Sequence, residues 1–139
     1  MLRRLEHEAA CVRLCVDFAN YLDARRYEPV LDLFTEDATL DRMGVVLKGR
    51  AEIRRFLESR PADATTRHVC TNIQIQLESE DAAAGHSYIL FFQGAPVADD
   101  SVAVASKAPS VVEYRDRFTR TASGWKIQAR RIHMVMRGV

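Results

Sequence analysis

The chain has 139 residues, 47% hydrophobic and 28% charged, which predicts one soluble globular domain over residues 1–139 that buries about two thirds of the unfolded chain's surface. Its formal net charge is only +1, which argues against a protein that binds nucleic acid by neutralising phosphates. No apolar run approaches the roughly 18 residues of a membrane span, and no apolar signal core opens the chain. We therefore expect a protein that binds neither nucleic acids nor membranes, and the odd number of cysteines, three, favours reduced thiols in a cytoplasmic compartment.

Helical periodicity predicts a first helix over residues 4–25, a short second helix that begins near Pro29 and includes Phe34, and a third over residues 51–60. In the first helix, apolar residues spaced three and four apart form the expected buried stripe. These residues are Leu5, Ala9, Val12, Val16 and Ala19. Asp23 occupies the next position of that stripe.

A carboxylate at that position needs a partner, because burying an unpaired charge costs several kcal/mol. The best candidate is His68, at the start of a later strand. The alternatives for Asp23 are a salt bridge to Arg26 or Arg130, or a cap on the helix end. A buried Asp–His contact is itself either a structural ion pair or an acid–base dyad.

The rest of the chain reads mainly as β-structure. A short strand pair is predicted at residues 38–43 and 45–47, and four long strands at 67–77, 83–93, 111–120 and 125–136, with a flexible loop at 94–109. This order predicts an α+β fold, in which a cone-like curved antiparallel or mixed sheet is wrapped by three N-terminal helices. The mouth of such a cone is a default place for a ligand.

The cysteines are predicted to be packing residues with free thiols. Cys11 and Cys15 lie four residues apart on one predicted helix, which does not favour a disulfide between them, and Cys70 lies in a strand. No Cys/His spacing typical of a zinc site is present. We therefore expect neither a metal nor a cofactor.

Three strings are the most characteristic part of the sequence: YLDARRY at residues 21–27, GRAEIRRFL at 49–57 and YRDRF at 114–118. They resemble the nuclear transport factor 2-like superfamily and, within it, the SnoaL-like group. The resemblance extends over nearly the whole chain and implies a cystatin-like α+β barrel. The superfamily contains isomerases, dehydratases, cyclases, hydrolases, dioxygenase β subunits and proteins that only bind ligands, so fold alone does not give the activity.

The scytalone dehydratase-like and bile-acid dehydratase-like members of this group imply a site. In them, an aspartate at the end of the first helix supports a histidine on the third strand, and Asp23 and His68 match these positions. Two positions depart from the pattern. Leu22 stands where scytalone dehydratase has a tyrosine, and an ungapped count places Gln93 where it has a second pocket histidine.

Further candidates for substrate contact come from the polar residues near this dyad. The nearest hydroxyl groups belong to Tyr21 and Tyr88, and Tyr88 is either a phenolic donor or a packing residue. Strand alternation places Asn72 on the face of His68, where it either donates to a substrate oxygen or caps a backbone group. Asp116 either pairs with an arginine, Arg130 or Arg131, or orients a ligand hydroxyl.

Two further residues lie near the expected pocket mouth. Asp41 and Arg42 belong to the first short strand. We expect both on the surface, with an orientation into the pocket as the alternative.

Two functional hypotheses follow. In the first, His68 held by Asp23 acts as a general acid–base in a cofactor-independent lyase or isomerase, on a hydrophobic, oxygenated, cyclic or polyketide- or steroid-like substrate. In the second, the chain is a non-catalytic small-molecule-binding or assembly module that resembles dioxygenase β subunits. In both, the open face of the sheet needs cover, which predicts a homodimer or homotrimer.

Overall fold

The computed structural model describes residues 2–96 and 102–139. It contains three helices, α1 (Leu2–Asp23), α2 (Tyr27–Asp32) and α3 (Gly49–Glu58). The strands are β1 (Phe34–Arg42), β2 (Val45–Lys48), β3 (Thr65–Leu77), β4 (Ala82–Pro96), β5 (Ala103–Ala105), β6 (Ser110–Thr121) and β7 (Gly124–Met136). The predicted α+β class is confirmed: within the described ranges, three helices accompany a curved mixed sheet of seven strands that does not close.

The sheet is mixed because of one strand pair. Its order is β2-β1-β7-β6-β4-β3, with β5 added beside β4. All pairs are antiparallel except β1 with β7, which run parallel. This pairing places the end of β1 beside the middle of β7, so that residues from the two chain halves share one wall. No helix in the described part of the chain is long and apolar enough to span a membrane.

The buried stripe of α1 differs from the predicted one. Leu5 and Val16 are 54% and 40% exposed. The helix instead buries a neighbouring stripe that has the same three-and-four spacing, formed by Cys11, Leu14, Cys15, Phe18 and Leu22. Both stripes satisfy helical periodicity, and the one with the larger side chains removes more apolar surface from water. Ala19 is buried as predicted.

Strand β3 contains a bulge that overturns the predicted face of Asn72. Thr71 pairs with Tyr88, whereas Gln74 pairs with His86, so β3 holds one residue more than β4 over this stretch. Asn72 adopts a positive φ of 53° at the bulge and is exposed. The alternation therefore changes phase, and the core-facing residues beyond it are Ile73, Ile75 and Leu77.

Two of the differences in element boundaries from the sequence expectation move residues into a different kind of element. Phe34, placed in the second helix by its spacing, begins β1 and is wholly buried. The predicted loop at 94–109 is shorter than expected, because β4 continues to Pro96 and Ala103–Ala105 pairs with it. The remainder of that predicted loop includes residues 97–101, which lie outside the described residues.

Candidate functional site

The last residue of α1 and the start of β3 meet through a pair of hydrogen bonds. Nδ1 of His68 lies 2.6 Å from Oδ1 of Asp23, and the backbone N–H of His68 donates to Oδ2 at 2.7 Å. The two side chains are only 11% and 10% exposed, respectively. The carboxylate thus fixes both the backbone and the ring of His68.

Two further residues support the carboxylate of Asp23. The hydroxyl of Thr66 donates to Oδ1 at 2.9 Å, and Arg60 in turn donates to that hydroxyl at 3.0 Å. Burial raises the pKa of Asp23, but the hydrogen bonds from His68 and Thr66 and the charge of the imidazole outweigh burial, so that this pKa lies below its ordinary value. An ionised carboxylate at Nδ1 assigns the proton of the neutral ring to Nδ1 and leaves Nε2 as the acceptor.

The ring of His68 forms part of the wall of a cavity of about 390 Å³, a volume suited to a small molecule. Nε2 has no hydrogen-bond partner among the described residues, and the ring of Phe91 lies 4.9 Å from the imidazole. The remaining wall is mostly apolar. Its apolar residues are Phe18, Leu22, Leu40, Met43, Phe56, Pro61, Ala64, Ile89, Phe91, Val112, Ile132 and Met134.

Residues 3–131 match the SnoaL-like domain family. The chain belongs to that family. No curated protein matches the sequence significantly. The match covers nearly the whole chain and includes both members of the Asp23–His68 pair.

Several solved structures share the fold of this chain. An NTF2-like protein with a cystatin-like fold from Novosphingobium aromaticivorans has a TM-score of 0.80 at 23% identity, over 96% of this chain and 85% of that one. A scytalone dehydratase-like protein from the same species has a TM-score of 0.81 at 23% identity, over 96% and 87%. A hexachlorocyclohexane dehydrochlorinase, LinA type 3 of Novosphingobium barchaimii, has a TM-score of 0.82 at 18% identity, over 99% and 93%.

The polar part of the cavity wall of this SnoaL-like domain differs from the predicted set. Gln93 lines the cavity, as does Tyr114, which the sequence analysis did not select. The hydroxyl of Tyr114 has no hydrogen-bond partner in the described part of the chain. Burial is the main reason that the pKa of Tyr114 is raised, so this hydroxyl keeps its proton and can donate it in a hydrogen bond. Tyr114 lies two residues before the candidate Asp116 in a predicted strand, and this spacing, which places both on one face, was the signal that could have identified it.

Three other predicted contacts lie away from the cavity. Tyr88 is 39% exposed on the opposite face of β4, where its ring meets that of His86. Asn72 is exposed at the bulge of β3. Tyr21 does not line the cavity and instead has the guanidinium of Arg26 5.2 Å from its ring.

Asp116 is behind the cavity wall, in an ion pair with Arg130. The guanidinium donates to both carboxylate oxygens, at 2.7 and 2.8 Å. The ring centres of Phe18 and Tyr114 lie 4.4 and 4.3 Å from the guanidinium carbon. Of the two interpretations of Asp116, this arrangement supports the structural ion pair.

Arg42, expected on the surface, lines the cavity, whereas Asp41 does not. The chain reverses just after Arg42, at Met43 and Gly44, where Asp41 accepts a hydrogen bond from the backbone N–H of Gly44 at 2.9 Å. Within residues 2–96 and 102–139, no three His, Cys, Asp or Glu side chains come together as a metal site would require.

Proposed function

We propose that this SnoaL-like domain is a cofactor-independent lyase or isomerase that transfers a proton on a hydrophobic, oxygenated, cyclic substrate, of polyketide- or steroid-like character. The observation that carries the proposal is the orientation of His68. Its Nδ1 is held by Asp23 at 2.6 Å, while its ring lines an apolar cavity and its Nε2 is unpartnered among the described residues.

In the proposed reaction, Nε2 of neutral His68 removes a proton from a carbon next to a substrate carbonyl. The electron pair of the C–H bond then forms an enolate, and Asp23 stabilises the imidazolium that results. In a dehydration, the enolate expels a β-hydroxyl group, which takes the proton from His68 and leaves as water. In an isomerisation, the imidazolium returns the proton to a different carbon. A positioned acid–base group contributes roughly 10²–10⁴-fold to such a rate.

The developing oxyanion also needs a hydrogen-bond donor. Tyr114 and Gln93 line the same cavity as His68, and we assign this role to them rather than to Asn72 and Tyr88. The hydroxyl of Tyr114 is suited to it because its pKa is raised, mainly by burial. A donor that stays protonated stabilises the enolate without giving up its proton.

The names of two structural neighbours support elimination as the reaction. One is scytalone dehydratase-like and the other is a dehydrochlorinase. Both names denote an enzyme that catalyses an elimination reaction. The non-catalytic binding or assembly module is the alternative. A histidine oriented by a carboxylate toward a cavity favours the enzyme over that alternative.

A screen with hydroxylated cyclic and polycyclic ketones tests the proposal. Binding would be followed by thermal shift, and turnover by enone absorbance and by loss of water in mass spectrometry. His68→Gln should lower turnover by at least about 10²-fold with an unchanged circular dichroism spectrum. The matched control is His86→Gln, because His86 pairs with Glu113 outside the cavity and should keep wild-type activity. Binding of these ketones without turnover would favour the non-catalytic module.

A further inference from the structure

The cavity wall has an uneven distribution of charge. Among the described residues, its ionisable members include three arginines, Arg25, Arg42 and Arg60, and no aspartate or glutamate. Asp23 lies behind His68 and is not part of the wall. The cavity is therefore electropositive as well as apolar.

Two of these arginines form hydrogen bonds to other groups of the protein. Arg25 donates to the backbone carbonyls of Pro61 and Ala64, which ties the end of α1 to the segment before β3. Arg60 donates to the carbonyl of Leu22 at 2.9 Å and to the hydroxyl of Thr66. Their hydrogen bonds account for their positions without a ligand.

Arg42 differs from both. It is half-buried at the end of β1, and its guanidinium carbon lies 3.6 Å from the ring centre of Phe56. In the part of the chain that the structure describes, its guanidinium forms no ion pair and no hydrogen bond. Its acidic neighbour Asp41 lies instead 4.0 Å from Arg131.

Stacking leaves the binding edge of Arg42 free. A guanidinium that stacks on an aromatic ring uses its flat face, while its N–H donors point outward in its own plane. Those donors match the two oxygens of a carboxylate, which they can bind in a bidentate pair. A neutral apolar ligand would displace the water bound to this guanidinium without offering a hydrogen bond or a counter-charge in its place, which is unfavourable.

We propose that Arg42 binds the carboxylate of the substrate, so that the guest of this cavity is a hydrophobic monocarboxylic acid rather than a neutral molecule. This proposal rests on the proposed function, which requires a substrate in the cavity, and it specifies in addition that the substrate carries a negative charge. The carboxylate would occupy the Arg42 side of the cavity, and the apolar body of the acid would cover the wall between Arg42 and His68. Arg42 is then a specificity-determining residue.

The test compares acids with their own methyl esters. Benzoate, naphthoate and cyclohexanecarboxylate, and the methyl ester of each, would be titrated into the full-length protein by calorimetry. At least one acid should bind wild type at least tenfold more tightly than its ester. Arg42→Met keeps an unbranched side chain that can pack on Phe56 but removes the charge and the N–H donors, and it should remove that preference. Arg131→Met is the matched control, because Arg131 is exposed and outside the cavity, and it should retain the preference.

Several results would overturn the proposal: no acid binds wild type, an acid and its ester bind equally, or Arg42→Met keeps the preference. If Arg42→Met does not fold by circular dichroism, Arg42→Lys serves instead, and it should weaken the preference because lysine keeps the charge but loses the bidentate geometry. The same titration in His68→Gln separates the two proposals. A preference retained there, with no turnover by wild type of any ketone or of any keto acid that also carries the carboxylate, contradicts only the proposed reaction, whereas turnover without the preference contradicts only the role of Arg42.

Discussion

Arg130 and Asp116 form a two-pronged ion pair whose side chains are 0% and 1% exposed. Burial lowers the pKa of Arg130, but the charge and hydrogen bonds of Asp116 more than compensate, so that this pKa lies above its usual value. The rings of Phe18 and Tyr114 pack on the guanidinium and also line the cavity. The ion pair therefore supports the wall on which a ligand would lie.

Removing one partner of this pair should be strongly destabilising. Asp116→Asn leaves a buried cation without its counter-charge, and we expect unfolding free energy to fall by about 3–5 kcal/mol. The double variant Asp116→Leu/Arg130→Met should recover most of that loss, because apolar residues can replace a buried pair at little cost. Urea unfolding at neutral pH measures both. A change below about 1 kcal/mol for Asp116→Asn would mean that the pair is not structural.

The contribution of Asp23 to stability should depend on pH. Its pKa lies below the ordinary 3.8, because hydrogen bonds from His68 and Thr66 outweigh the opposing effect of burial. A depressed folded-state pKa gives stability that is present above the unfolded value and is lost as pH falls through the folded value. The free energy of unfolding of Asp23→Asn should therefore be roughly 1–3 kcal/mol below that of wild type at neutral pH. This difference should disappear below about pH 4.

Unfolding curves collected from neutral pH into the acid range measure that difference. Asp63→Asn, an exposed acid in the turn before β3, is the matched control and should show no difference. Turnover should also collapse in Asp23→Asn, as the dyad requires. Loss of stability with full activity would mean that Asp23 is only architectural.

The sequence identified much of this fold because its signals are local. Helical spacing located α1 and α3, and the string at residues 21–27 and the predicted strand at 67–77 placed Asp23 and His68 on elements that meet. Asn72 was misplaced because a single positive φ in β3 reverses the alternation of every later residue. Arg42 was misjudged because a charged residue at a strand end is usually exposed, although its spacing of two and four from the buried Leu40 and Ala38 places it on their face of β1.

The thiols of α1 should resist modification in the native protein. Cys11 and Cys15 are buried, and burial raises the pKa of each to about 12. Cys70 is half-buried, and burial is the main reason that its pKa is raised. With Ellman's reagent at pH 8, we expect at most one slow equivalent, from Cys70, and all three only after unfolding. Cys70→Ser should abolish the slow phase, and rapid native labelling of two thiols would contradict the burial.

The outer face of the sheet should be an interface between copies of the chain. An apolar row crosses four strands in register, with Val69 beside Leu90, Leu90 beside Val111 and Val111 beside Met136. Val69 and Met136 are exposed, and such a patch favours association. We therefore retain the prediction of a homodimer or homotrimer.

In analytical ultracentrifugation, Val69→Arg should shift the protein toward the monomer. Leu5→Arg should not, because Leu5 is an exposed apolar residue on α1, away from this face. A monomeric wild type would refute this prediction.

The bulge at Asn72 provides a test that separates backbone strain from ligand binding. A β-branched residue at φ 53° is strained by about 1–3 kcal/mol, whereas glycine adopts this conformation readily. Asn72→Val should therefore lower the free energy of unfolding by that amount, and Asn72→Gly should change it by less than about 1 kcal/mol. Gln76→Val controls for the valine itself, because Gln76 is exposed in the same strand beyond the bulge.

Because Asn72 lies outside the cavity wall, ligand affinity should stay unchanged in both Asn72 variants. A loss of affinity in Asn72→Gly without a loss of stability would restore Asn72 as a substrate contact.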